Sequence, residues 1–230
     1  MISLLPVEGI GQIRPGDRLA DIIAEAAELQ DNDVVVVTQK VVSKAEGRLV
    51  AIDPDDPQSH KQLVHDEAVR VLRQRGDLLM TETRHGFVCA NSGVDLSNVE
   101  EGYAALLPLD SDRSARRIRD GLRARLGVEV GVVVSDTFGR TWRRGVTDVA
   151  IGTAGVAAVV DLRGTTDTQG RELNVTEVAV ADELAGAAEL VMGKASGVPV
   201  AIVRGVDSSW LRESSVRSEI VRPPAEDLFR

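Results

Sequence analysis

Two kinds of hydrophobic patterning run along this chain, and their order is irregular. Unbroken apolar runs predict strands at Met1 to Val7, Val34 to Thr38, Ala104 to Leu107, Val130 to Val134 and Pro199 to Val203. Leu78 to Thr83 and Gly86 to Ala90 read as paired strands, and Val146 to Val160 is a long apolar stretch rich in Gly and Ala. Between these lie stripes at helical spacing. Leu19, Ile22, Ile23, Ala26 and Leu29 form one, ended by Asp31-Asn32-Asp33. Ser59 and Gln62 make a capping-box pattern that opens a helix to about Arg75, with Val64, Ala68, Val71 and Leu72 on one face. Ala115, Ile118, Leu122 and Leu126 predict a helix over 113–126. Asn174 and Glu177 cap another that reaches Met192, with Val180, Leu184, Ala187, Ala188 and Val191 inward. The polar tail after Arg204 is expected to pack as a short helix and an extended arm. No repeat, low-complexity tract or linker divides the chain, so 1–230 is expected to be one domain, which two intertwined subdomains could compose. Irregular alternation predicts an α+β fold of mixed and antiparallel sheets with flanking helices.

Composition narrows the partners. Only 3% of the 230 residues are aromatic, so the core must be built from Val, Leu, Ile and Ala. The single cysteine, Cys89, excludes an intramolecular disulfide and suits a reducing, cytoplasmic setting. A formal net charge of −9 opposes sequence-independent nucleic-acid binding. No apolar run approaches the roughly eighteen residues of a membrane span, and the N-terminus lacks the basic region of a secretion signal.

Several familiar motifs fail. Gly9-x-Gly11 lies in a loop where glycines let backbone approach a ligand, but Arg14 stands where a dinucleotide fingerprint needs its third glycine. Gly193-Lys194-Ala195 has neither the earlier glycine nor the hydroxyl residue of a P-loop. His60, His65 and His85 have no metal-ligand spacing, and no Gly-x-Ser-x-Gly elbow exists. The fold is therefore expected to be neither Rossmann nor P-loop.

What remains is a constellation at strand ends. The valine run before Ser135 stops abruptly at Ser135-Asp136-Thr137, and a glycine-punctuated loop with Arg140, Trp142, Arg143 and Arg144 comes next. A second polar loop carries Asp95 beside Ser97 and Asn98. Carboxylates flanked by hydroxyls suit magnesium or manganese, and arginines suit phosphate or carboxylate oxygens. Lys40 and Lys44 come after the Val34 strand, and the helix over 113–126 bears six arginines on its outer face. By themselves these cations read as solvated surface. The residues thus point to metal-assisted chemistry on a nucleotide or phosphorylated substrate, with a metal-dependent phosphohydrolase as one form of it.

Four blocks, in order, carry a more specific signal: Asp33 to Gly47 (DVVVVTQKVVSKAEG), Gly93 to Val99 (GVDLSNV), Ser135 to Arg143 (SDTFGRTWR) and Glu177 to Leu184 (EVAVADEL). With them the chain resembles the coenzyme F420-0:L-glutamate ligase family, the F420 γ-glutamyl ligases, through almost its whole length. The resemblance implies that family's fold and a GTP-dependent ligase. The terminal carboxylate of F420-0 would be phosphorylated, L-glutamate's amine would attack the acyl phosphate, and later glutamates would join through the γ-carboxylate. It implies magnesium or manganese, potassium as a further cation, and a homodimer. Carried over by position, Asp95 and Asp136 would be metal ligands and Thr137 would touch a second ion. Ile10, Gly11, Gln12, Ile13, Gln39, Lys44 and Asn98 would contact GTP, with Met192, Gly193, Lys194 and Ala195 closing over it. Asp136, Arg140 and Lys44 would serve catalysis. Lys194 departs from the pattern, since some relatives carry a glutamine near the second ion and a lysine is no metal ligand. Actinobacterial members also carry a C-terminal flavin-binding domain. The chain is accordingly expected to be a free-standing ligase or the N-terminal half of a bifunctional one. In the latter case the alternative role is an F420-binding and dimerisation module.

Overall fold

Val34 to Val37 are all fully buried, and the molecule is built outward from them. The computed structural model describes residues 1–228. Its strands are β1 (Ser3–Pro6), β2 (Val34–Thr38), β3 (Leu49–Ala51), β4 (Ala68–Arg75), β5 (Leu78–Thr83), β6 (Val88–Ala90), β7 (Tyr103–Ala105), β8 (Gly131–Arg140), β9 (Arg143–Ala154), β10 (Val160–Asp161), β11 (Glu177–Val178) and β12 (Val200–Arg204). Its helices are α1 (Leu19–Ala26), α2 (Gln39–Ala45), α3 (Pro57–Glu67), α4 (Ser111–Leu126), α5 (Val180–Met192) and α6 (Val216–Glu219).

The main sheet runs β1-β12-β2-β8-β9. Only β2 and β8 are parallel neighbours; the other pairs are antiparallel. Val35, Val37, Val132 and Val134 pack on one face with Ile23 of α1 and Ile118 and Leu122 of α4. Val34, Val36 and Val133 pack on the other with Leu184, Ala185 and Ala188 of α5. Both faces are covered, which is why the valine runs do not alternate with polar residues. Gly152 makes one of these contacts possible, because a Cβ there would lie 2.3 Å from the Ser111 carbonyl carbon. Beside the main sheet stand a three-stranded sheet, β4-β5-β6, and a two-stranded ribbon of β3 and β7. The α+β architecture matches expectation, with mixed and antiparallel sheets and flanking helices. Among the described residues no helix is long and apolar enough to cross a membrane.

Four local expectations are corrected. Residues 68–75 are a strand: α3 is capped by Asp56, whose side chain accepts from the Gln58 N–H, and ends at Glu67. The helical stripe of Ala68, Val71 and Leu72 competes with the alternation of Val69 and Val71, and pairing with β5, supported by Arg70–Glu82 at 2.8 Å, decides for strand. The stretch after Ser135 is likewise not a loop. β2 stops pairing at Ser135 while β9 accompanies β8 out to Arg140, so 136–147 form a ribbon overhanging the sheet. Its residues become polar because the covering layers end there, although the backbone stays extended. Asn174 and Glu177 do not cap α5, which starts at Val180 with no side-chain cap; Glu177–Val178 pair with Val160–Asp161 instead. Residues 39–45, read only as a polar stretch with two lysines, are helical.

The ribbon carries one irregularity. Val134 faces Gly152 and Ser135 faces Ala150, so Ile151 is an extra residue in β9. Beyond this bulge Thr137 pairs with Asp148.

Candidate active site

A cavity of about 950 Å³ opens at the C-terminal ends of β2 and β8. Open sheets offer ligands room at that end of parallel strands, where the backbone diverges into loops. The structure brings most of the sequence-derived site residues to this cavity. Ile10, Gly11, Gln12 and Ile13 come from the loop after β1, Gln39 and Lys44 from α2, and Asp95 and Asn98 from the loop before β7. Asp136 and Thr137 come from β8, while Gly193, Lys194 and Ala195 lie just past α5. Two residues lie elsewhere. Met192, the last residue of α5, is fully buried in the core. Arg140 sits on the exposed ribbon, where its guanidinium donates to the Arg144 carbonyl at 2.6 Å.

One wall is a loop made rigid by lysines. Asp95 bridges to β7 through both backbone bonds with Ala105, at 2.9 and 2.8 Å. Its carboxylate accepts from the Ser97 N–H at 2.7 Å and pairs with Lys40 Nζ at 2.8 Å. Lys44, one helical turn on, donates to the Asn98 carbonyl at 2.9 Å. Burial alone would raise the Asp95 pKa, but the hydrogen bonds from Lys40 and Ser97 outweigh it and hold the carboxyl below its usual range. Burial, with repulsion from Lys40 second, lowers the pKa of Lys44. Gln39 closes the floor: it is buried, and its amide donates to Ser43 Oγ at 2.6 Å and to the Leu106 carbonyl at 3.0 Å.

The opposite wall is the strand pair itself. Asp136 is partly buried, and its carboxylate accepts the Thr137 N–H at 2.8 Å. Burial is the main influence on it, and Asp95 and Asp148 add repulsion. Together they overcome that hydrogen bond and push its pKa up to about 7. Lys40 is the weakest influence, so this carboxyl lacks an adequate counter-cation.

Asp148 escaped the sequence reading, although a lone carboxylate inside the apolar Val146–Val160 stretch was its signal. It is 3% exposed and fully engaged. It accepts from Ser135 Oγ at 3.0 Å, Thr137 Oγ1 at 2.7 Å and Lys194 Nζ at 2.6 Å. Lys194 also pairs with Glu189 of α5 at 2.9 Å and donates to Thr137 Oγ1. The Lys194 carbonyl accepts from Asn98 Nδ2 at 3.4 Å, so the two walls touch across the cavity.

Among the described residues no three His, Cys, Asp or Glu side chains gather into a complete metal nest. Asp95 and Asp136 still fit a hard divalent ion that takes its remaining oxygens from water and substrate phosphate, as magnesium commonly does. The unneutralised Asp136 is the observation that favours a cation there.

Comparison with known proteins gives the family. The model of the F420-0:Gamma-glutamyl ligase family matches residues 9–205. Proteins named coenzyme F420:L-glutamate ligase are similar along the full chain. That of Methanopyrus kandleri is 45% identical, covering all of this chain and 98% of the relative. Those of Methanothermobacter thermautotrophicus and Archaeoglobus fulgidus are 41% and 40% identical, covering all of this chain and 99% and 96% of theirs.

Proposed function

The chain belongs to the F420-0:gamma-glutamyl ligase family, and from that premise we propose that it joins L-glutamate to coenzyme F420-0 at the expense of GTP. The observation that carries this reading is the convergence of Asp95, Asp136 and Lys44 on one cavity large enough for a nucleotide. The nucleotide's phosphates enter between the loop 10–13 and the loop 193–197. Gly11 lets the backbone approach them, and Lys44, already tied to the Asn98 carbonyl, places its ammonium against the charge on the transferred phosphoryl group. A magnesium or manganese ion bound by Asp95 and Asp136 supplies neutralisation of phosphate oxygens. The acceptor's carboxylate becomes an acyl phosphate, and the amine of L-glutamate displaces phosphate to leave an amide, with GDP released. Arg140, Arg143 and Arg144 crowd the ribbon tip beside an 82% exposed Trp142. They offer cations and an aromatic face to an anionic, ring-bearing acceptor. A homodimer belongs to this reading, supported by Val69, Val71, Leu78 and Val88, which are exposed on the sheet of β4, β5 and β6.

The test is to incubate the chain with F420-0, L-glutamate, GTP and Mn²⁺ and track product mass and GDP together. The expected outcome is a gain of one glutamyl unit per GDP formed. GDP release without mass gain would favour a phosphohydrolase, and F420-0 binding with neither product would favour a binding module.

A further inference from the structure

Lys194 is a cation surrounded by oxygen ligands. Its ammonium contacts the Asp148 carboxylate at 2.6 Å, the Glu189 carboxylate at 2.9 Å and the Thr137 hydroxyl. The three come from both strands of the ribbon and from α5, so their convergence is tertiary and not a local pairing. Asp148 is 3% exposed, and a carboxylate that deeply buried is tolerated only with a compensating positive charge. Among the described residues Asp136, on the same ribbon, accepts the Thr137 N–H and forms no ion pair.

We infer that the Lys194 ammonium is a built-in cation, filling permanently the place between Asp148, Glu189 and Thr137 that an exchangeable ion would otherwise take. The site therefore accepts a single divalent ion, at Asp95 and Asp136, and needs no second metal beside it. The role of Lys194 rests on the geometry around it alone, whereas the location of the one exchangeable ion rests on the proposed function. Lys194 is a positioning residue here: it holds Thr137 and Asp148 while its carbonyl accepts from Asn98 across the cavity.

The experiment is a titration with Mn²⁺ alone, reading free ion by electron paramagnetic resonance. Wild type should bind one Mn²⁺ per chain. Lys194→Met removes the charge but keeps much of the stem, and it should bind one ion more than wild type; Asp148→Asn in that background should abolish the gain. Lys194→Arg keeps a cation and should stay at the wild-type number. The thermal midpoint of Lys194→Met should drop without metal and recover with Mn²⁺. Two ions on wild type, or no extra ion on a folded Lys194→Met, overturns the inference. The proposed function is tested separately by Asp95→Asn, which should remove one ion from both wild type and Lys194→Met. If it removes none, the Asp95–Asp136 assignment fails while the difference of one ion between Lys194→Met and wild type still decides the role of Lys194.

Discussion

Asp136 and Asp148 lie on one ribbon but on opposite faces, and their surroundings differ sharply. Asp148 is the less accessible of the two, yet it has two hydroxyls and an ammonium around it. Asp136 has one backbone N–H and two neighbouring carboxylates, and its pKa rises to about 7. Both carboxylates are withdrawn from water, but only Asp148 has an ammonium beside it, so at Asp136 the effect of burial prevails. One face of the ribbon is electrostatically complete, and the other carries the carboxylate whose pKa is raised.

The largest effect should come from the incomplete face. Asp136→Asn is expected to lower the ligation rate about 10³-fold, the scale of losing a preorganised charge at a transferring phosphoryl group. Steady-state assays with saturating GTP check it, and near wild-type turnover would remove Asp136 from the reaction. The same variant should change the pH profile of stability. Because the folded pKa lies above the ordinary carboxylate value, the folded chain keeps a proton that the unfolded chain has released. Metal-free stability should thus fall as pH rises from about 4 to about 7. Thermal melts across that range should show a flatter slope for Asp136→Asn.

Gly152→Ala asks whether the strand wall is as rigid as its packing implies. The added Cβ meets backbone of α4, so a loss of about 3 kcal/mol is expected in chemical denaturation. A loss below about 1 kcal/mol would mean that α4 can retreat. On the loop wall, Lys44→Ala should weaken GTP binding about tenfold, the worth of one charge-assisted contact. Unchanged affinity by calorimetry would place the nucleotide elsewhere. The smallest effect belongs to the complete face. Ser135→Ala takes one of several donors from Asp148 and should reduce stability by about 1 kcal/mol, read from the denaturation midpoint.

The same physics explains which parts were legible in the sequence. Val34 to Thr38 and the run ending at Val134 were readable because strands buried on both faces cannot be anything but apolar. Residues 68–75 were not, because their apolar positions fit two periods and only contact with β5 selects one. The ribbon after Ser135 looked like a loop because polarity reports covering layers, whereas extension depends on pairing with β9. Asp136 and Asp95 stood out as carboxylates at strand ends, but nothing local joins them; their meeting at one cavity is a tertiary fact. Asp148 passed unnoticed because its partners, Ser135, Thr137 and Lys194, are remote in the chain.

The surplus residue at Ile151 sets the parity of the overhanging ribbon. Were β9 to run straight through it, Asp148 would stand opposite Phe138 instead of Thr137, on the α4 flank with Asp136. Two single-codon deletions in this strand therefore have opposite consequences. Losing Ile151 merely regularises the ladder and keeps Asp148 across from Thr137. Losing Val149, with Ala150 still facing Ser135, moves Asp148 across from Asp136 and leaves Lys194 with Glu189 and the Thr137 hydroxyl.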